Sequence, residues 1–138
     1  MVEPGQYLLN VLPLLSSTQT QQISPAALAY LGDAVYELYI RTHYLLPRKR
    51  AHAYHQQVVS QVRAEAQAAC SRSLQPHLSE VELTILRQGR NAASRSSQRV
   101  DLAIYQQATG FEALIGHLYL TNPQRLAQLL QLLKFDEV

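Results

Sequence analysis

Two acidic residues of this sequence lie inside apolar segments. A carboxylate is energetically unfavourable there, and a functional role is one explanation for its presence. Asp33 lies in the run Leu-Gly-Asp-Ala-Val, and Glu112 lies far along the chain in Phe-Glu-Ala-Leu-Ile-Gly. A carboxylate that is buried without a partner costs several kcal/mol or takes up a proton. A bound cation is one partner that would keep both acids ionised at neutral pH.

Magnesium suits two carboxylates that face each other from packed helices. It is typically held in proteins by one or two carboxylates, several waters and substrate phosphate. In that setting it activates water and stabilises the charge that develops during phosphodiester hydrolysis. The structural alternative is a salt bridge from each acid to a nearby arginine, which is common for acids in helices. The residues alone leave both interpretations open.

Two other acids are weaker candidates. Glu37 follows Asp33 by one helical turn, but pairing with Arg41 at i+4 is the favoured interpretation. Asp101 precedes Glu112 by eleven residues, which is about 16 Å along a helix axis. We therefore interpret Asp101 as a favourable charge in the first turn of a helix.

Length and composition predict one soluble domain. A chain of 138 residues buries roughly two-thirds of its unfolded surface, which is enough for a core without disulfides. The single cysteine, Cys70, has no partner for a disulfide or a zinc site, which indicates a reducing compartment. No secretory leader and no apolar run of about 18 residues is evident, so we expect a cytoplasmic protein.

Charge is unevenly spread along the chain. Residues 38–100 carry ten basic and three acidic residues, a net charge of +7, whereas the remainder carries two basic and seven acidic residues, a net charge of −5. Such an asymmetry indicates a surface that faces a polyanion. A solvated helical surface explains the charge equally well.

Helical signals predict an all-α fold, since no segment alternates as a strand. Ser24, Ser79 and Asn122 have the residue types and neighbours of helix N-caps. Gly89 stands where a C-cap glycine is expected, followed by a flexible basic loop at 90–99. The predicted helices span 25–46, 51–73, 80–88, 100–120 and 123–134, after a short helix at 8–15 and a polar linker at 16–22.

The first long helix is expected to be covered on most sides. One stripe carries Leu28, Leu31, Val35 and Leu38 at helical spacing. Asp33 lies on the opposite side, which we expect to form a second contact zone rather than to face open solvent.

Two segments resemble the hallmark segments of the ribonuclease III endonuclease domain. They are LGDAVYELYIRTHYL at 31–45 and FEALIGHLYL at 111–120, with the run RQGRNA at 87–92 between them. The length, without a double-stranded-RNA-binding module, is similar to the short Mini-ribonuclease III form. The resemblance implies an N-terminal extension at 1–22 and a ribonuclease III-like catalytic domain at 23–138.

This resemblance implies an all-α homodimer with RNA lying across the dimer surface and one metal site in each subunit. The expected activity is magnesium-dependent cleavage of double-stranded regions of structured RNA, leaving 5′-phosphate ends. The expected natural substrate is the precursor of large-subunit (23S) ribosomal RNA, with a ribosomal protein as a candidate partner that presents it. Neither DNA nor a membrane is an expected partner.

The resemblance also assigns site residues. Asp33 and Glu112 match two acids of the family and are the expected catalytic residues and metal ligands. The longer enzymes commonly place four acids around the metal, and the other two positions hold Ala29 and Thr109 here. A magnesium ion that keeps more of its water fits such a sparse set of ligands.

The expected RNA contacts come from the basic segment between the hallmarks. A-form RNA is recognised mainly through its shape, phosphates and 2′-hydroxyl groups, which requires basic and hydrogen-bonding side chains. The basic run at 48–50 is a second candidate, and the histidines of the following helix are interpreted as surface residues. The favoured contacts are Arg87, Arg90, Asn91, Arg95 and Arg99.

Two alternatives belong to other classes of function. Loss of two of the usual four acids suits a non-catalytic ribonuclease III-like protein that binds RNA or assists ribosome assembly. A helical interaction module with structural salt bridges would have no affinity for RNA. Cleavage of duplex RNA with and without magnesium distinguishes the enzyme from the non-catalytic protein, and RNA affinity distinguishes both from the interaction module.

Overall fold

The protein is described here by a computed structural model that covers residues 14–93 and 101–135. Within these ranges the chain forms helices and no strand, so the predicted all-α class is confirmed. No helix in the described ranges is long and apolar enough to cross a membrane. The elements are α1 (Ser17–Gln21), α2 (Pro25–His43), α3 (Ala51–Val62), α4 (Ala64–Leu74), a 3-10 turn (Gln75–His77), α5 (Glu80–Ala92), α6 (Leu102–Thr121) and α7 (Pro123–Leu132).

Helix α6 is the centre of the fold. It packs against α2, α4 and α5, and it also contacts α7 and α1. Phe111 on α6 is fully buried and meets the ring of Tyr36 on α2 edge to face, with the ring centres 5.0 Å apart. Leu114 and Ile115 are each 1% exposed. A polar side chain in this middle part of the helix is therefore largely surrounded by protein.

Local signals set the starts of three helices as predicted. Ser24 Oγ accepts a hydrogen bond from the Ala27 amide at 3.1 Å. Ser79 and Glu82 form a reciprocal capping box, with bonds of 3.2 and 2.8 Å. Asn122 caps α7 as Ser24 caps α2, with its side chain accepting a hydrogen bond from a backbone amide. Each cap supplies an acceptor to backbone amides that have no partner inside the helix.

The long central helix starts at Leu102, two residues later than predicted. Asp101 lies one residue before α6 rather than in its first turn, and its carboxylate accepts a hydrogen bond from the Ala103 amide at 2.7 Å. The interpretation of Asp101 as a helix-start acid, remote from the site, is compatible with this position. Helices α2 and α7 end a few residues earlier than predicted, at His43 and Leu132.

The prediction of a polar linker at 16–22 is wrong. Ser16 begins α1 with a capping box, and Thr20 within α1 is only 3% exposed. The Leu15 amide donates to the Leu120 carbonyl at 2.9 Å, so this segment packs on the end of α6. The predicted helix at 8–15 falls largely outside the described residues, and the division of the chain at residue 22 stays a prediction.

The single helix predicted at 51–73 is two helices. The chain breaks at Arg63, which has the extended backbone angles φ −71° and ψ 160°. The break leaves carbonyl groups at the end of α3 without helical partners. Gln67 Nε2 on α4 donates to one of them, the Val62 carbonyl, at 3.0 Å.

Gly89 does not end a helix, and that prediction is wrong. It lies in the interior of α5, where a Cβ atom would come within 2.7 Å of Ala113 Cβ and 2.9 Å of Gly110 Cα. The glycine is required because α6 passes there at close range, and α5 continues to Ala92. The predicted flexible loop therefore begins later than residue 90, and residues 94–100 lie outside the described part of the chain.

The buried face of α2 differs from the predicted stripe. Leu28 is buried as expected, but Leu38 is 47% exposed. The buried face is displaced because Gly32 is a point of contact with α6, so the small residues of α2 turn inward. The buried residues of α2 are Leu28, Ala29, Gly32, Tyr36 and Ile40.

Candidate active site

The candidate site forms where α2 and α6 cross at two glycines. A Cβ atom on Gly32 would lie 1.8 Å from the Glu112 carbonyl oxygen, and one on Gly116 would lie 2.1 Å from the Leu28 carbonyl oxygen. Separations this short exclude any side chain at either position. Backbone contact between the helices therefore places Asp33, the residue after Gly32, beside Glu112.

The structure brings the two sequence-predicted acids together. The carboxyl group of Glu112 interacts with Asp33 through a hydrogen bond and through its charge. Burial, followed by these two effects of Asp33, raises the pKa of Glu112 to about 9. A hydrogen bond from Gln67 acts in the opposite direction. Without a cation, the pair therefore holds a proton at neutral pH, as two adjacent carboxyl groups commonly do.

Asp33 is exposed in the single chain, so the described residues do not form the second covered zone that was predicted around it. Glu112 is half-buried beneath it, and Glu112 is the acid whose charge is desolvated. Tyr30, on the same helix, is 85% exposed, since no described element covers this side of α2. The acid pair consequently opens to the surface, where a long substrate can reach it.

The two positions where longer relatives place further acids are used for packing here. Ala29 is 6% exposed, and Thr109 is 9% exposed, with its hydroxyl donating to the Tyr105 carbonyl at 2.9 Å. Neither offers a charged ligand. Across residues 14–93 and 101–135, no group of three or more His, Cys, Asp or Glu side chains is arranged to hold a metal ion. The charged donors are therefore the two carboxylates.

This donor set fits a hard divalent cation that keeps much of its water. Oxygen ligands from one or two carboxylates are what magnesium takes from proteins. A cation between Asp33 and Glu112 would replace the proton on Glu112 and remove the repulsion between the acids. The placement of the two acids side by side at the helix crossing, which raises the pKa of Glu112, is thus the feature that matches a metal site.

Gln67 is a site residue that sequence reasoning missed. It lies on α4, is 2% exposed, and hydrogen-bonds to Glu112. A signal was present in the helix pattern, because Gln67 shares its face with Ser71 and Leu74 at i+4 and i+7. A long amide on the buried face of an alanine-rich helix indicates a polar partner inside the fold.

The predicted RNA contacts fall in two groups. Arg87, Arg90 and Asn91 lie on the last two turns of α5, with Arg87 and Asn91 exposed and Arg90 half-buried. Arg95 and Arg99 lie outside the described residues. Beside the first group is an open groove of about 350 Å³, lined by Gln75, Leu83, Leu86, Arg87 and Arg90.

Glu37 takes its favoured structural role. Its carboxylate lies 2.8 Å from Arg41 Nη2, one turn along α2. Both side chains are largely exposed, at 39% and 59%. Glu37 therefore serves as a surface ion-pair partner within α2.

Comparison with known proteins decides the family. A family model described as the Ribonuclease III domain matches residues 26–123. This span contains Asp33, Glu112 and both glycines of the helix crossing. The chain belongs to the ribonuclease III domain family.

Relatives within the ribonuclease III family are similar along most of their length. A Mini-ribonuclease 3 from Thermosynechococcus vestitus is 57% identical over 125 residues, which are 90% of this chain and 83% of that protein. A Mini-ribonuclease 3 from Clostridium tetani is 39% identical over 116 residues, covering 81% of this chain and 77% of the relative. The short form suggested by the hallmark segments is thereby confirmed.

The fold is also found in a solved structure. A crystal structure of a Fusobacterium nucleatum protein superposes with a TM-score of 0.71 at 28% sequence identity. The match covers 79% of this chain and 87% of the other. The ribonuclease III-like fold predicted from the sequence is confirmed by this agreement and by the family match.

Proposed function

We propose that this endoribonuclease of the ribonuclease III family cleaves double-stranded regions of structured RNA in a magnesium-dependent reaction. The family match and the names of the relatives assign the endoribonuclease class. The metal is supported by the acid pair, and the RNA substrate is supported by the family match and by the exposed basic residues of α5. The decisive feature of the acid pair is that Asp33 and Glu112 share a hydrogen bond at the protein surface, with the pKa of Glu112 raised to about 9.

The chain's own residues would prepare the reaction. Asp33 and Glu112 would hold the ion, and Glu112 would release its proton as the ion binds. When bound, magnesium supplies polarisation of the phosphate and activation of water. The Gly32–Gly116 crossing fixes the spacing of the two carboxylates through the backbone. Exposed Asp33 would orient the water for in-line attack on phosphorus, giving 5′-phosphate and 3′-hydroxyl ends.

Basic residues of α5 and the following segment would hold the RNA backbone. Arg87, Arg90 and Asn91 are the described members of this group, and Arg95 and Arg99 continue it beyond them. Contacts of this type neutralise phosphates and release counterions, so affinity falls steeply with salt. We expect duplex RNA to bind weakly and to dissociate between about 50 and 200 mM salt. Binding that is unchanged over this range would contradict the assignment.

A homodimer is proposed as the working form. The support is exposed apolar surface on α2, where Tyr30 is 85% exposed and Leu38 is 47% exposed. Burial of such side chains against a second copy would stabilise the assembly. Sedimentation equilibrium should give twice the 15.5 kDa chain mass, and Leu38→Glu should return the protein to that single mass.

The proposed natural substrate is the large-subunit (23S) ribosomal RNA precursor, cut in the cytoplasm, with a ribosomal protein as a proposed partner. Support comes from the resemblance to the short ribonuclease III form. Mapping the ends of a cleaved precursor, with and without large-subunit proteins, tests both parts. Equal cutting of every duplex, irrespective of added protein, would remove the assigned substrate and partner.

The central experiment is cleavage of a duplex RNA in magnesium and in EDTA. Wild type should cut only with magnesium, and Asp33→Asn should not cut although it folds. Glu37→Gln is the matched control, because it removes an acid one turn away that pairs with Arg41. A non-catalytic RNA-binding protein would instead bind the duplex and leave it intact under every condition.

A further inference from the structure

We propose that Gln67 is a positioning residue that orients the carboxyl group of Glu112 for metal binding. The inference rests on the proposed function, since it assigns a role at the same site. Gln67 belongs to α4, whereas the two acids belong to α2 and α6. The site would therefore be assembled from three helices, with the third contributing a neutral side chain.

The side-chain amide of Gln67 makes two hydrogen bonds. The Nε2 atom of a glutamine offers two hydrogens. One is donated to the Val62 carbonyl, at 3.0 Å, across the break between α3 and α4. This bond fixes the position of the amide, and the side chain also hydrogen-bonds to Glu112. The same group thus links a rigid backbone point to the Glu112 carboxyl group.

Gln67 is buried, so its polar side chain must make its hydrogen bonds inside the protein. Gln67 is 2% exposed, and a buried amide is unfavourable unless its hydrogen bonds are made. Both partners of Gln67, the Val62 carbonyl and the Glu112 carboxyl group, require a donor at this buried position.

Glu112 needs such a donor because its other neighbour repels it. Two carboxylates side by side tend to turn away from each other when both are ionised. A neutral donor such as the Gln67 amide would hold Glu112 in place while a cation enters. Hydrogen bonds of this kind to metal ligands commonly change metal affinity or activity by about 10- to 100-fold.

The test uses two variants of Gln67 and a matched control. Gln67→Met keeps an unbranched side chain of similar length but donates no hydrogen bond. Gln67→Asn keeps a buried amide, which favours folding, but draws it back from Glu112 by one methylene. Ser71→Ala is the control, because Ser71 is 1% exposed on the same face of α4 and its hydroxyl has no partner among the described residues.

Three quantities are measured on each protein. Manganese binding to the RNA-free protein is followed by electron paramagnetic resonance, and thermal midpoints establish that each variant is folded. Steady-state cleavage of duplex RNA then gives kcat and KM separately. Both Gln67 variants should bind manganese about 10- to 100-fold more weakly, with kcat lowered and KM for RNA unchanged. Ser71→Ala should match wild type.

Two results would overturn the inference. Folded Gln67 variants with wild-type manganese affinity and kcat would show that the amide only supports packing. An equal loss in Ser71→Ala would show the same. Asp33→Asn, measured in parallel, separates the two proposals: if it too binds manganese normally and still cleaves, the acid pair itself is not the metal site.

Discussion

Glu82 and Glu112 are two protein-covered acids in one small helical fold, and their surroundings are opposite. The Glu82 side chain is 9% exposed and faces Arg125, with contacts of 2.9 and 3.0 Å to its two oxygens. Hydrogen bonding to Arg125 lowers the pKa of Glu82. Glu112 faces another acid, and its pKa is raised to about 9. The first acid is neutralised inside the chain, whereas the second requires something from outside it.

The partner of Glu82 also explains what that acid does. Arg125 on α7 donates to the His77 carbonyl at 2.8 Å as well as to Glu82 on α5. One guanidinium group therefore joins α7, α5 and the 3-10 turn. Such a two-oxygen contact is geometrically specific, and it requires no ligand. The comparison separates an acid that stabilises the fold from one whose arrangement favours binding.

The strongest test of the comparison exchanges each acid for its neutral amide. Glu112→Gln should lower RNA cleavage at least about a hundredfold, since losing a metal ligand should exceed the loss of an outer partner. Glu82→Gln should leave cleavage per folded molecule unchanged. Cleavage is measured at a temperature at which circular dichroism shows both variants folded. Equal losses of cleavage in the two variants would contradict the assignment of different roles to the two acids.

Removing the arginine that pairs with Glu82 should lower the stability of the protein. Arg125→Met leaves Glu82 without its partner and should lower the free energy of unfolding by about 2 kcal/mol, less than for a fully buried pair because Arg125 is 28% exposed. Urea titration measures the loss. Arg41→Met, which breaks the exposed pair with Glu37, is the control and should stay within about 0.5 kcal/mol of wild type. A similar loss of unfolding free energy in Arg125→Met and Arg41→Met would show that the pair of Glu82 stabilises the fold no more than an exposed pair does.

Glu112, the proposed metal ligand, should show the reverse effect on stability. The pKa of Glu112 in the folded protein, about 9, lies above its ordinary value of 4.5. Metal-free wild type therefore loses stability as pH rises from 4.5 towards 9. Glu112→Gln has no such proton and should be more stable than wild type at pH 8, by at least about 1 kcal/mol.

Urea titrations in EDTA at pH 5 and pH 8 measure this difference. The advantage of Glu112→Gln should grow with pH and should shrink when magnesium is added, because the ion stabilises wild type. A difference that is independent of pH would contradict the raised pKa.

The smallest expected effect concerns the acid range of pH. Because the pKa of folded Glu82 is lowered below 4.5, its pair with Arg125 contributes fully above pH 4.5. The contribution is lost as pH falls through the folded pKa. Wild type should thus lose about 0.5–1 kcal/mol more than Arg125→Met between pH 4.5 and 3. If both proteins lost the same free energy of unfolding between pH 4.5 and 3, the lowered pKa of Glu82 would be contradicted.

Features that depend on neighbouring residues in the chain were predictable from the sequence. The helix starts at Ser24, Ser79 and Asn122 followed from side chains that satisfy nearby backbone amides. The role of Glu37 followed from its spacing to Arg41. The pairing of Asp33 with Glu112 required the family resemblance, because local patterning left the salt-bridge alternative open.

Features that depend on which helices cross were not predictable from local patterns. Gly89 has the residue type of a helix end, but a contact with α6 determines its position in α5. The exposure of Asp33 depends on the side of α2 that α6 covers. The break at Arg63 has no glycine or proline to indicate it, and without that break Gln67 would lack its carbonyl partner at Val62.

The two close contacts of α6 limit how the length of this helix can change. Gly110 touches α5 and Gly116 touches α2, and Glu112 lies between them. One inserted residue between these glycines would rotate part of the helix by about 100° relative to the rest, separating the acid from Asp33. Homologues that keep the site should therefore keep the spacing Gly-x-Glu-x-x-x-Gly together with Gly-Asp on α2. This combined spacing is a search pattern for sequences too divergent to be found by overall identity.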